Sequence, residues 1–217
     1  MKSLMVLIAL TTLASATLGA AFKEVSFATS DGGQIFANLY GKGSHAVVLA
    51  HGAVFNKESW HTQALMLEER GLKVLAIDFR GYGKSKAGKK GKTLSLDVLA
   101  AIEYLKGQGA EKVSLLGGSV GGRASAEASV VSEPGDIHRL VLLANPPFGS
   151  PQKLKGDKLF IVSEGDRLAA SVKKEFQKAP KPKRLEVLQG DAHAQHIFKT
   201  DQAGKLEKLI VGFLTEE

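Results

Sequence analysis

The chain has 217 residues, 44% of them hydrophobic and 24% charged, which is typical of one globular domain with a substantial core. It contains no cysteine, and this excludes disulfides, a cysteine nucleophile, thiolate metal sites and lipid attachment through an N-terminal cysteine. The formal net charge is +7, and no aromatic residues interleave with the lysine-rich runs. We therefore expect solvated loops rather than a nucleic-acid-binding surface; attraction to anionic surfaces or acidic substrates is the alternative.

Residues 1–20 have the pattern of a secretory signal peptide. Lys2 supplies a positive start, residues 4–13 are apolar, and Ala14-Ser15-Ala16 is a small-residue cleavage signature, with residues 19–21 as a second option. The apolar run is too short to span a bilayer. We expect cleavage between residues 16 and 21, export to the periplasm or beyond, and a folded domain over residues 21–217 without stable membrane insertion. An uncleaved N-terminal anchor is the alternative.

The next segment predicts an antiparallel hairpin. Residues 25–29 and 34–40 alternate between apolar and polar side chains, as half-buried strands do. The turn between them contains Asp31-Gly32, which favours a tight hairpin. We expect this hairpin at an edge of the sheet.

Beyond the hairpin, strands alternate with helices. The predicted strands are apolar runs at 46–50, 73–78, 112–116, 139–144, 158–163 and 184–188. Helices are expected over 58–70, after a cap at Thr93 or Ser95, after Ser119, and over 169–178 and 205–214. Continuous apolar strands separated by helices indicate an α/β fold with a doubly wound, mostly parallel sheet.

Ser119 lies in Gly117-Gly118-Ser119-Val120-Gly121, between a predicted strand and a predicted helix. This is the strand–turn–helix setting that a nucleophile elbow requires. Side chains at positions 117 and 121 would collide with neighbouring elements, so glycine is needed at both. An incidental serine on a glycine-rich turn is the alternative interpretation.

The combined motifs resemble those of the α/β-hydrolase family, over essentially all of the chain after residue 20. They are His51-Gly52, Asp78-x-Arg80-Gly81-x-Gly83-x-Ser85, the segment from Gly117 to Gly121, Gly165-Asp166, and Gly190-x-x-His193. The chain is most similar to the short branch near serine aminopeptidase-like and lysophospholipase-like hydrolases. Many members insert a helical cap where this chain has a short segment after Asn145, so no cap domain is expected.

The resemblance implies a catalytic triad. Ser119 would be the nucleophile, His193 its general base and Asp166 the carboxylate that orients the base. His196 is the alternative base and Glu164 the alternative acid. His51 is expected to shape its loop.

The resemblance also implies an oxyanion hole formed by the backbone N–H groups of Ala53 and Val120, with Val54 as the alternative to Ala53. Four residues on loops at the same edge of the sheet are candidates to line a substrate pocket, or to pack beneath the loops: Phe55, Asn56, Trp60 and Phe148.

These expectations combine into a periplasmic or secreted serine hydrolase that cleaves carboxylic esters of small molecules through an acyl-enzyme on Ser119. No cofactor is implied, and His193-x-x-His196 lacks a third partner for a metal site. A peptide or amide hydrolase of the same fold is one alternative. A non-catalytic binding protein that retains the fold is another.

Overall fold

The computed structural model of the chain describes residues 21–216, so the predicted signal peptide at 1–20 lies outside the described residues. It contains β1 (Lys23–Ala28), β2 (Gln34–Tyr40), β3 (His45–Ala50), β4 (Lys73–Ile77), β5 (Lys112–Gly118), β6 (Arg139–Leu143), β7 (Asp157–Ser163) and β8 (Lys183–Leu188). These strands form one sheet in the order β1-β2-β4-β3-β5-β6-β7-β8. The strands β1, β2 and β4 pair antiparallel, and all other neighbours are parallel. The predicted hairpin and mostly parallel sheet are thereby confirmed.

The helices are α1 (His61–Glu68), α2 (Ser95–Gly107), α3 (Val120–Val131), α4 (Ala169–Lys178) and α5 (Ala203–Thr215). They lie on both sides of the sheet, with α2 and α3 in contact on one side. Every residue of β4 and β6 is buried between the two helical layers. Because parallel strands end at the same edge, the loops after β3, β5, β7 and β8 converge there, which is where this architecture places its ligands.

Two predicted helix starts differ from the structure. The helix expected from Glu58 begins as a 3₁₀ turn over Lys57–Trp60, because the Asn56 side chain accepts a hydrogen bond from the N–H of Ser59. Neither predicted cap of α2 is used: the helix begins after Leu94 without a side-chain cap.

The connection between β6 and β7, residues 144–156, contains one short 3₁₀ turn, Pro151–Lys153. This length leaves no room for a cap domain, and the edge of the sheet above Ser119 stays open. Within residues 21–216, no helix has the length and apolar character needed to cross a membrane.

A buried ion cluster joins the hairpin to the parallel part of the sheet. The guanidinium of Arg80 donates to both carboxylate oxygens of Asp31 at 2.9 and 3.0 Å, and its Nε donates to Asp97 at 2.8 Å. Burial raises the pKa of Asp97, although Arg80 donates hydrogen bonds to it. At Asp31 the hydrogen bonds from Arg80 outweigh burial and hold the pKa far below its usual value. The cluster therefore ties the β1–β2 turn, the end of β4 and the first turn of α2 to one another.

Asp97→Asn should destabilise the protein by about 3 kcal/mol, because the change leaves part of a buried guanidinium charge without its counter-charge. Urea unfolding at neutral pH measures this loss. Glu216→Gln is the matched control, since it breaks an exposed carboxylate–Arg184 pair and should cost less than about 1 kcal/mol. Equally small losses in both variants would contradict the structural role of the cluster.

Candidate active site

Ser119 connects the end of β5 to the start of α3 in a strained conformation, with φ 51° and ψ −120°. Positive φ is uncommon for residues other than glycine and persists only where the surroundings enforce it. The enforcement comes from backbone contacts: a Cβ on Gly121 would lie 2.2 Å from the carbonyl oxygen of Ala50, and one on Gly117 would lie 2.4 Å from that of Gly121. Glycine is therefore required at both positions, as predicted.

The three predicted triad side chains form one hydrogen-bonded chain. Nε2 of His193 lies 2.8 Å from the hydroxyl oxygen of Ser119, and Nδ1 lies 2.7 Å from a carboxylate oxygen of Asp166. Because an ionised carboxylate only accepts hydrogen bonds, Nδ1 carries the ring proton and Nε2 is left to accept the hydroxyl proton. The Asp166 carboxylate is fully buried, and the imidazole is 26% exposed. This arrangement can deprotonate the serine as it attacks an electrophile.

Asp166 also shapes its own loop. Its second carboxylate oxygen accepts a hydrogen bond from the N–H of Leu168 at 2.8 Å, just before α4 begins.

The alternative acid and base lie outside this chain of bonds. Glu164 is exposed at the start of the same loop, and the His196 ring packs against Phe55 with a centroid separation of 5.0 Å.

His51 holds the turn after β3 from beneath. Its buried ring accepts a hydrogen bond from the N–H of Phe79 at Nε2, so Nδ1 carries the proton and donates to the carbonyl oxygen of Gly52 at 2.8 Å. Burial lowers the pKa of His51, which favours this neutral form. Since a peptide unit is planar, holding the Gly52 carbonyl also fixes the direction of the Ala53 N–H.

Sequence reasoning missed a second support of this turn, Gln195. Its side chain is buried, accepts a hydrogen bond from the N–H of Gly52 at 2.7 Å, and donates to the hydroxyl of Ser59 at 2.9 Å. It therefore ties the loop that carries His193 to the turn beside Ser119. The sequence holds no motif around Gln195, because its partner Gly52 is 143 positions away.

Two backbone N–H groups flank the serine. Val120 is the first residue of α3, where an N–H has no partner within the helix and the helix dipole favours negative charge. The N–H of Ala53 has no acceptor among residues 21–216, and the hydroxyl of Tyr82 holds the Ala53 carbonyl at 2.8 Å. The turn adjoins the serine, since a Cβ on Gly52 would lie 3.6 Å from the Ser119 Cβ.

An open cleft of about 300 Å³ lies over the serine and the imidazole. It is lined by Gly52, Ala53, Val54, Phe55, Ser119, Arg167, His193, Ala194 and His196. Of these, Arg167 was not considered from the sequence. Its position directly after Asp166, at a loop that was expected to carry the acid, is the signal that could have identified it.

Only one of the four candidate pocket residues lies at this cleft, Phe55. Asn56 instead caps the 3₁₀ turn. Trp60 is fully buried in the core against Phe198, and Phe148 is also buried, with its N–H bonded to Glu175. Asn56 is exposed just before the 3₁₀ turn, whereas Trp60 ends that turn and, like Phe148, has a side chain buried in the core. No cluster of three or more potential metal ligands occurs in the described part of the chain.

Gly121→Ala should prevent folding or destabilise the protein by at least about 3 kcal/mol, because β3 is bonded on both sides and its Ala50 carbonyl cannot retreat from the new methyl group. Gly212→Ala is the matched control: it lies on the exposed side of α5, and a Cβ there meets no atom within 4 Å. The control should be unchanged or stabilised by about 0.5 to 1 kcal/mol. Circular dichroism with thermal and urea unfolding compares them, and a Gly121→Ala variant as stable as the unmodified protein would contradict the packing argument.

Known proteins resemble the chain in both sequence and fold. A non-heme chloroperoxidase from Streptomyces lividans is 33% identical over 155 residues, which cover 70% of this chain and 52% of that protein. A bifunctional esterase/perhydrolase from Acinetobacter calcoaceticus is 33% identical over 124 residues, covering 55% of this chain and 44% of that one. The chain thus spans about half the length of the curated relatives it matches.

Solved structures share the fold at low sequence identity. An esterase from Pyrococcus furiosus superposes with a TM-score of 0.74 at 18% identity and covers 89% of both chains. An esterase from Exiguobacterium antarcticum gives a TM-score of 0.74 at 18% identity, covering 89% of this chain and all of that one. Residues 41–216 match the family model described as serine aminopeptidase, S33. With its fold, its motifs and this match, the chain belongs to the serine aminopeptidase S33 family of α/β hydrolases.

Proposed function

We propose that the protein is a serine hydrolase that cleaves carboxylic esters of small, accessible molecules through an acyl-enzyme on Ser119. The observation that carries this proposal is the unbroken hydrogen-bonded chain from Ser119 through His193 to Asp166. The open cleft above it supports substrates that need no enclosing cap.

In the first half of the reaction, the Ser119 oxygen attacks the ester carbonyl while Nε2 of His193 accepts the hydroxyl proton. Asp166 stabilises the imidazolium through the bond at Nδ1. The tetrahedral intermediate then collapses, the bond to the alcohol oxygen breaks, and His193 returns the proton to the departing alcohol. In the second half, His193 deprotonates a water molecule that attacks the acyl-enzyme, which releases the acid and restores Ser119.

Negative charge develops on the carbonyl oxygen in both halves. The N–H groups of Ala53 and Val120 are preset donors for it, and losing one such donor typically costs about 3 kcal/mol of transition-state stabilisation. Gln195 and His51 act on this step indirectly, because they hold the Gly52 turn that carries the Ala53 N–H.

Peptide cleavage is the second candidate, since the family description is that of an aminopeptidase. An aminopeptidase binds a positively charged substrate N-terminus, for which a carboxylate is the complementary group. Among the described residues, the cleft over Ser119 is lined by the cation Arg167 and by no carboxylate. This charge favours esters over peptide N-termini.

Ser119→Ala should abolish labelling by a fluorophosphonate probe and lower the turnover of a short-chain nitrophenyl ester by about 10⁴-fold or more. His193→Ala and Asp166→Asn should also lose most turnover. His196→Ala and Glu164→Gln are their matched controls and should retain it, because neither side chain joins the hydrogen-bonded chain. If the two histidine results were reversed, the base would be His196. Folded protein that takes up no probe would indicate a binding protein instead.

Gln195→Leu should lower kcat by roughly tenfold to a hundredfold with KM changed less than about twofold, because the Ala53 N–H that it helps to hold is used chiefly in the transition state. Ser59→Ala is the control: it removes the other bond of the Gln195 amide and the bond from the Ser59 hydroxyl to the Asn56 carbonyl, but leaves the bond to Gly52, and it should have a much smaller effect. Steady-state kinetics and thermal unfolding are measured together. A loss of kcat that merely follows a loss of folded protein would remove Gln195 from this role.

A further inference from the structure

We propose that the natural substrate is an anionic ester, whose acyl or alcohol part carries a carboxylate or similar oxyanion that pairs with Arg167. The inference rests on the ester hydrolysis proposed above and adds the class of substrate. It is supported by where the charged side chains near Ser119 lie and by which of them form ion pairs.

Among the described residues that line the cleft over Ser119, Arg167 alone carries a permanent charge. It directly follows Asp166 and lines the same space as Ser119 and His193. Its side chain is exposed and makes no ion pair or hydrogen bond with another residue of the described range 21–216. A guanidinium presents its donors in a planar fork that matches a carboxylate, so an unpaired one beside a nucleophile is a ready site for an anion.

The adjacent acid, Asp166, is buried and bonded to His193 and to the N–H of Leu168. Two further acids near this edge of the sheet do not pair with Arg167. Glu164 and Asp191 lie on neighbouring loops, and both are exposed. Neither lines the cleft, and neither forms an ion pair with Arg167. The remaining walls are largely apolar, with Val54, Phe55 and Ala194, so the cleft is suited to a short hydrocarbon that ends in a negative charge.

A second cleft is also lined by more cations than acids. It has a volume of about 400 Å³, and one of its lining residues is Val120, which directly follows Ser119. Its lining includes two cations, Lys92 and Arg123, and one acid, Glu127, which is already paired with Arg123 at 2.8 Å. Lys92 has no ion-pair partner within the described residues. The cleft beside Val120 therefore also holds an excess of positive charge.

The segment that leads into the second cleft extends this charge. It contains Lys84, Lys86, Lys89, Lys90 and Lys92 within the loop before α2, and Lys84 alone of these is paired among the described residues, with Glu24. Positive potential over a cleft raises the local concentration of anions and speeds their encounter with the site. The free lysines thus serve the same class of substrate as Arg167, at longer range.

The test uses pairs of esters that differ by one charge. 4-Acetoxybenzoate and its methyl ester place the charge on the alcohol side, and monomethyl and dimethyl glutarate place it on the acyl side. The unmodified protein should prefer the anionic member of at least one pair by about three- to tenfold in kcat/KM. The preference should shrink between about 20 mM and about 500 mM salt, because salt screens exposed charges.

Arg167→Gln should lower the anionic-to-neutral ratio of kcat/KM by about three- to tenfold, mainly through KM. Arg167→Lys, which keeps the charge but loses the planar fork, should retain part of the preference. Lys23→Gln is the control for net charge: it makes the same change on the exposed edge strand β1 and should leave the ratio unaltered.

The outcomes separate this inference from the function on which it rests. If fluorophosphonate labels Ser119 and the neutral esters are hydrolysed, but neither pair shows a preference for the anion, the anionic substrate class is wrong and the esterase proposal stands. A preference that survives Arg167→Gln unchanged also overturns the role of Arg167. If the folded protein neither takes up the probe nor hydrolyses any ester, both proposals fail.

Discussion

The contact on which the site depends is made between two pieces of backbone, the carbonyl of Ala50 at the end of β3 and Gly121 in the first turn of α3. It brings the helix close enough to the sheet to hold Ser119 at positive φ. The same approach places the N-terminus of α3 beside the Gly52 turn, so one backbone contact positions both Ser119 and the two N–H groups that flank it. A side chain on Gly117 or Gly121 would push α3 away from the sheet and so displace Ser119 and both N–H groups.

Around this contact, the protein uses buried polar side chains to align loops that are far apart in the chain. His51 reaches from beneath to the Gly52 carbonyl, and Gln195 reaches from the His193 loop to the Gly52 N–H. Asp166 fixes the imidazole with one oxygen and its own loop with the other. The bonds of His51 and Gln195 to Gly52 are buried, so an alternative position of that turn would leave buried polar groups unsatisfied.

The features that could be predicted from the sequence are those with a local signal. Apolar runs identified the parallel strands, and the glycine pattern around Ser119 identified the elbow, because both report the conformation of a few neighbouring residues. The resemblance supplied Asp166 and His193, and the structure brings both to Ser119. The direction of side chains was harder to predict: Trp60 ends the 3₁₀ turn that follows the Gly52 turn, yet its side chain is buried in the core. Gln195 has no local signal, since only folding brings its partner Gly52 to it. Arg167 has the signal of its place after Asp166, but the cleft that it lines exists only in the folded chain.

The Arg80 cluster limits which truncations and circular permutations this fold can tolerate. Its guanidinium pairs with one carboxylate from the β1–β2 turn and one from α2. These ion pairs link the antiparallel hairpin to the parallel part of the fold. Deleting β1 and its turn to obtain a smaller protein would remove one of the two carboxylates that neutralise this buried cation. A circular permutant with its new ends in the exposed loop of Gly135, where an added Cβ meets nothing, would leave that neutralisation intact, whereas one opened at Asp31 would not.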